Sequence, residues 1–489
     1  MKNFLAAMIF MLSLSSVASA AADDLLFNPS RGVEKTLTYN GRTIDFIAYE
    51  NIPYVTEPAS EIQKLSIYIP AEYLHGGVIN GYAAKTAPIF LPNGVGGYMP
   101  GKILEPVEND KMTGGANASL VALSRGLVVI SPAIRGRTTT MNGVHVGKAP
   151  ALIVDYKAAV RWIRHNRNRL PAGNTDKIIS NGTSAGGALS ALLGATGNAP
   201  EYMPYLEQLG AANERDDIFA SSVYCPITNL DHADMAYEWI FYGETKYFPA
   251  MWQLAPPTNS EAANNPVSVK KSFEMTPEEI RVSKILRDAF PDYLNRLNLR
   301  DEHGNILSLD KNGDGSFKNF IKGKYIESAQ KAIDSGKNLR GVDWLTIKNG
   351  RVVDVDLKKY PAAVTRMKAA PAFDKLDLSS AENDEFGDFR NNPKHFSATL
   401  FNDNLAASEI IHMMNPMNFI GRENVTTAKF FRIRHGTADR DTSLAIPAML
   451  ALKLQNNGAT VDFFSPWGQG HGGDYDLNEL FDWIDSICK

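Results

Sequence analysis

An α/β fold with a mostly parallel sheet is predicted by three features of the chain. First, Pro88-Ile89-Phe90-Leu91-Pro92 and Gly126-Leu127-Val128-Val129-Ile130-Ser131 are short apolar runs of the kind found in strands buried on both faces. Second, segments of helical period lie between and after them. From Asp155 to Arg164, Tyr156, Ala159, Val160 and Ile163 fall on one helical face. Third, the alternation continues through a short strand at Ile178-Ile179-Ser180 and a small-residue helix from Gly186 to Gly194. Strand, helix, strand, helix is the pattern of a parallel sheet covered by helices.

The elements follow in order. Residues 1–20 read as a secretory signal: Lys2 is the positive start, Phe4 to Leu12 is apolar, and Ala18-Ser19-Ala20 suits cleavage after Ala20. The apolar run is short for a membrane span, and no cysteine follows it for lipid attachment. A secreted or periplasmic protein, free of the membrane once processed, is expected. Residues 21–230 form the first part of the core. They open with a hairpin, Thr36-Leu37-Thr38-Tyr39 and Thr43-Ile44-Asp45-Phe46 flanking Asn40-Gly41. Residues 231–405 turn polar and charge-rich, with a candidate helix from Pro277 to Ile285 and no runs typical of buried strands. They are expected to form an inserted lid or cap over the substrate pocket. Residues 406–489 resume the core, with strands at Lys429 to Ile433 and Thr460 to Phe464, a helix around Ile446 to Leu454, and an amphipathic helix from Leu477 to Ile487.

Composition excludes some functions. The chain has 489 residues, 50 basic and 54 acidic, for a net charge of −4. That balance draws it neither to nucleic acid nor to an anionic membrane. An oxidising compartment would permit a bridge between its two cysteines, Cys225 and Cys488, and spacing does not decide whether one forms. Neither cysteine has a second ligand at zinc spacing, so no metal is expected there.

Gly182-Thr183-Ser184-Ala185-Gly186 matches G-x-S-x-G between a strand and a small-residue helix, the setting of a nucleophile elbow. This makes the fold an α/β-hydrolase core with a mostly parallel sheet and a large inserted lid. The bland alternative is a serine that only caps a helix. A serine hydroxyl needs a base and an acid that orients it, in the chain order Ser, acid, His. His471, between Gly470 and Gly472, is the expected base. Asp439, just after a strand, is the preferred acid, with Asp441 two positions on as the alternative. His435 reads as a brace for the acid loop. His145 precedes the serine and so stands on the wrong side for the base. Expected oxyanion donors are the N–H of Ala185 and that of Gly97 or Gly96, in Asn93-Gly94-Val95-Gly96-Gly97.

The chain resembles a bacterial tannase (tannin acyl hydrolase). The resemblance rests on Gly182 to Ser190, on Asn93 to Met99, on Asp439-Arg440-Asp441, on Met367 to Asp374, on Glu382-Asn383 and on Gly470-His471-Gly472. It implies a serine esterase that cleaves galloyl esters through an acyl-enzyme and requires no cofactor. It also implies that Lys368, Glu382 and Asp441 bind the three ring hydroxyls and that Ile227 packs on the ring face. Asp439 would then orient His471 while Asp441 grips the ring. A feruloyl- or chlorogenate-type esterase and a secreted serine peptidase are the alternatives. Separately, Asp310-Lys311-Asn312-Gly313-Asp314-Gly315 has the start of a calcium loop at Asp310, Asn312 and Asp314, but Ile321 stands where the closing Glu belongs. A partial calcium site and a plain Asn/Gly turn are both compatible with that run.

Overall fold

Residues 24–111, 114–249 and 271–489 are described by the computed structural model; the expected signal at residues 1–20 lies outside them. Nine strands form one sheet: β1 Val33–Tyr39, β2 Arg42–Pro53, β3 Lys64–Pro70, β4 Pro88–Pro92, β5 Val128–Pro132, β6 Asn174–Thr183, β7 Ala220–Tyr224, β8 Phe430–Arg434 and β9 Thr460–Phe464. Their order across the sheet is β1-β2-β3-β5-β4-β6-β7-β8-β9. Every pairing from β5 to β9 is parallel. The pairings among β1, β2, β3 and β5 are antiparallel. This is an α/β-hydrolase core.

The hairpin expected at Asn40-Gly41 joins β1 to β2, and both turn residues have positive φ, 50° and 73°. A two-residue turn of that kind matches the twist of the strands it joins. Two central strands, β3 and β7, had no counterpart in the sequence reading. β7 (Ala-Ser-Ser-Val-Tyr) is too polar to look like a buried strand, yet all five residues are buried. One of its hydroxyls finds a partner on another element: Ser221 donates to the Ser190 carbonyl at 2.8 Å.

Around the sheet lie α1 Ala118–Ser124, α2 Ala151–His165, α3 Ala185–Ala195, α4 Leu230–Phe241, α5 Pro277–Arg296, α6 Ser316–Asp334, α7 Ala445–Asn456 and α8 Leu477–Cys488. The one-faced pattern expected for α2 is corrected, because residues 151–164 are all buried. Charges in such a helix need partners. Asp155 is held by Arg135 at 2.7 Å, and Asp216 accepts from both Lys157 and Arg161 at 2.8 Å.

Among the described residues, no strand of the central sheet comes from between β7 and β8. That stretch carries α4, α5 and α6. α5 runs well past the expected end at Ile285, since Val282, Leu286, Phe290 and Leu294 keep one face apolar and buried. Its start is a capping box, Thr276 with Glu279. A small hairpin, Leu345–Lys348 with Arg351–Val355, was not foreseen; its residues are mostly exposed, which blurs the pattern. Phe290, Phe317, Tyr325 and Tyr360 belong to the same apolar cluster as the sheet. Both cysteines are buried free thiols, so the bridge that an oxidising compartment would permit is not formed. No helix among the described residues is long and apolar enough to cross a membrane.

Candidate active site

Ser184 sits between the end of β6 and the start of α3 with φ 61° and ψ −123°. A non-glycine residue held there is strained, and crowding enforces the turn. A Cβ on Gly182 would come 2.2 Å from the Gly186 carbonyl oxygen, and one on Gly186 would come 2.6 Å from the Val95 carbonyl oxygen. Only glycine fits at either position. The Ser184 N–H donates to the Tyr224 carbonyl at the end of β7, at 3.0 Å.

Three side chains from distant segments meet at this turn. His471 Nε2 lies 2.8 Å from Ser184 Oγ, and its Nδ1 lies 2.9 Å from Asp439 Oδ2. Asp439 follows β8 and His471 follows β9, so neighbouring parallel strands deliver both to one edge of the sheet. Burial would raise the Asp439 pKa, but the imidazoles of His471 and His435 and the Thr442 N–H hold it down to about 2. Burial would lower that of His471, but Asp439, Cys225 and Asp441 together outweigh it and the net shift is well upward. Such a line can move a proton off the serine hydroxyl. His435 stands 3.6 Å from Asp439 Oδ2, too far for a hydrogen bond, and its carbonyl accepts from Ser465 at 2.6 Å. His145 lies in a small hairpin, its N–H on the Phe389 carbonyl at 3.0 Å.

The loop after β4 closes over the elbow. Asn93 Nδ2 donates to the carbonyls of Asn181 and Gly186, at 3.1 and 3.0 Å. Met99 N–H donates to the Gly96 carbonyl at 2.9 Å. A trans peptide points its N–H opposite its C=O, so this bond leaves the Gly97 N–H on the other side. The Gly97 carbonyl accepts from Arg137 Nε at 3.0 Å. The Ala185 N–H is the first of α3 and has no intrahelical acceptor.

Lys368, Glu382 and Asp441 also gather here, all buried. Lys368 Nζ donates to Asp441 Oδ1 at 2.8 Å, and that oxygen is 3.9 Å from His471 Nε2. Asp441 Oδ2 is buried with no hydrogen-bond partner. Burial would lower the Lys368 pKa, but Asp441 and Glu382 raise it on balance; burial raises that of Glu382 against the pull of Lys368. Lys368 is positioned by its carbonyl, which accepts from Arg366 Nε at 2.5 Å, and Arg366 in turn pairs with Glu238. Glu382 is carried by a short helix, Ala381–Glu385, capped by Ser380. Ile227 is beside the nucleophile, its N–H 3.4 Å from the Ser184 carbonyl oxygen.

Two participants were missed by sequence reasoning. Cys225, directly after the unforeseen β7, shares the floor of the site with His471 and Asp439. Arg137 bridges the Gly97 carbonyl to Asp384, at 2.5 Å, in the helix that carries Glu382. The calcium-like run forms the turn that leads into α6. Asp310 Oδ1 accepts the N–H groups of Asn312 and Asp314 at 2.8 and 3.0 Å, Lys318 pairs with Asp314, and Arg287 binds the Asn312 carbonyl.

Known proteins share this arrangement of chain. A family model described as BD-FAE matches residues 107–235. No curated protein matches the chain. Among solved structures, a tannase from Lactobacillus plantarum is 44% identical with a TM-score of 0.90, over 95% of this chain and 100% of that one. A tannase from Fusobacterium nucleatum is 48% identical with a TM-score of 0.90, over 95% and 99%. A tannin acyl hydrolase in complex with ethyl gallate is 44% identical with a TM-score of 0.88, over 96% and 100%.

Proposed function

Because this chain belongs to the bacterial tannase family, we propose that it hydrolyses galloyl esters, with Ser184 as nucleophile, His471 as base and Asp439 as the acid that orients it. The reading is carried by one observation: a complete Ser–His–Asp line with a buried Lys368–Asp441 pair 3.9 Å from the base nitrogen. Ser184 Oγ attacks the ester carbonyl as His471 takes its proton. The oxyanion is received by the N–H groups of Ala185 and Gly97; one such donor is worth about 3 kcal/mol. His471 then protonates the departing alcohol, leaving an acyl-enzyme. Water, activated by the same imidazole, releases the acid.

The ring hydroxyls go to Lys368, Glu382 and Asp441, with Ile227 against the ring face. Carboxylates accept from phenols and an ammonium donates to their oxygens. A related hydrolase has been seen with ethyl gallate, which supports the assignment. Residues 1–20 act as a secretory signal, so the mature enzyme works in the periplasm or outside the cell.

Rates on methyl gallate, methyl benzoate and methyl ferulate test the reading. Gallate should be turned over fastest, and Ser184→Ala should lose several orders of magnitude on all three. Lys368→Ala should lose about 10- to 100-fold on gallate, the equivalent of one hydrogen bond to a charged group, and far less on benzoate. Faster turnover of ferulate than gallate by the parent enzyme would reject the galloyl assignment.

A further inference from the structure

We propose that Cys225, His471 and Asp439 form a binding site for a soft divalent cation, zinc or cadmium, whose occupancy switches the esterase off. One ligand atom of each residue lies within 4.8 Å of those of the other two, the one such cluster of His, Cys, Asp and Glu among the described residues. A tetrahedral zinc ion, with bonds of roughly 2.0–2.3 Å, sets its ligands roughly 3.5 Å apart. Closing that difference takes rotation of these side chains. Thiolate, imidazole and carboxylate together select such an ion over magnesium or calcium.

The backbone holds the thiol in place. Cys225 has φ 36°, its N–H donates to the Arg434 carbonyl at 2.7 Å, and its Sγ lies 3.4 Å from the Gly472 carbonyl oxygen in the loop of His471. The catalytic line is complete without this residue, so hydrolysis leaves the thiol unused. A second buried group faces the same carboxylate: His435 Nδ1 has no hydrogen-bond partner and is 3.6 Å from Asp439 Oδ2. The route in is the active site itself, since the His471 side chain keeps 18% of its surface open. Binding releases to solvent the thiol proton and the proton held by the ligating imidazole nitrogen, and it engages the imidazole and carboxylate that relay the serine proton. Nothing is oxidised or reduced. The fourth position of the ion is left to water.

The inhibition arm of this proposal rests on the esterase reading, but the binding arm does not. Full-length protein freed of metal is titrated with cadmium while the ultraviolet thiolate-to-cadmium absorption is recorded. Zinc inhibition is measured separately on p-nitrophenyl acetate, each variant against its own metal-free rate. The parent and Cys488→Ser should show a one-equivalent cadmium band and an inhibition that chelator reverses. Cys225→Ser and Cys225→Ala should lose the band and need at least about tenfold more zinc for half-inhibition. No band in the parent, a band lost with Cys488→Ser but not with the Cys225 variants, or Cys225 variants inhibited at the parent's zinc concentration would each overturn the site. An inactive parent that still shows the Cys225-dependent band would instead reject the esterase reading and leave the cation site standing.

Discussion

Two aspartates two positions apart have different surroundings, and these separate their roles. Asp439 Oδ1 accepts the N–H groups of Asp441 and Thr442 at 2.9 and 3.1 Å, and Oδ2 faces His471, so three hydrogen bonds hold this carboxylate in place. Asp441 keeps Oδ2 unpaired and shares Oδ1 with Lys368. Both carboxylates nonetheless favour the charged imidazole of His471. A nearby negative charge raises the pKa of a base, and His471 must be neutral to accept the serine proton. The acid limb of kcat/KM should therefore lie above the ordinary imidazole value of about 6.5. Asp441→Asn removes one negative charge, so that limb should move to lower pH on a plain phenyl ester. An unmoved limb would mean that the Asp441 charge is not felt at the base.

Loops and short helices, rather than the sheet, join the two halves of the site. Arg137, in the loop after β5, holds the Gly97 carbonyl with Nε and Asp384 with its other arm, while its N–H donates to the Tyr98 carbonyl at 2.8 Å. Asp384 also receives Lys148. One guanidinium thus ties the candidate oxyanion loop to the helix carrying Glu382. Arg137→Ala should lower kcat on methyl gallate by about 10- to 100-fold, since small misplacement of reacting groups costs about that much. The loss should fall more on kcat than on KM. Arg137→Lys should recover little, because an ammonium lacks the planar fork that reaches two acceptors. Equal kcat in wild type and Arg137→Ala would show that the two halves are held independently.

For the molecule as a whole, stability comes from burial and paired charge. A single apolar cluster runs from the sheet into the segment between β7 and β8. Arg366 and Glu238, both fully buried, pair within that segment. No covalent cross-link contributes, because both thiols are free. The melting temperature should therefore be the same with and without dithiothreitol. Two thiols should react with a thiol reagent once the chain is unfolded, and fewer while it is folded. A melting temperature that falls on reduction would mean that a bridge had formed.

Local chemistry made much of this legible in the amino-acid order. Glycines two positions either side of Ser184 mark the elbow because no Cβ fits there, and Asn40-Gly41 marks the hairpin because both residues need positive φ. The apolar runs at Pro88 to Pro92 and Thr460 to Phe464 were read as strands within a residue or so of their ends. Asp439, Asp441 and His471 could be named as candidates by their chain order and by the strands before them. Tertiary structure alone decided the rest. β7 was hidden because its serines look too polar for a buried strand, and only the fold brings the Ser190 carbonyl to Ser221. The charges of α2 are tolerable inside only because Arg135 and Asp216 meet them there. Cys225 had no metal-ligand spacing, since its neighbours lie over two hundred residues away and arrive on different strands. Patterns in sequence report what each residue demands of its own backbone, whereas pairing across the fold depends on which distant groups the packed sheet brings within a few ångströms.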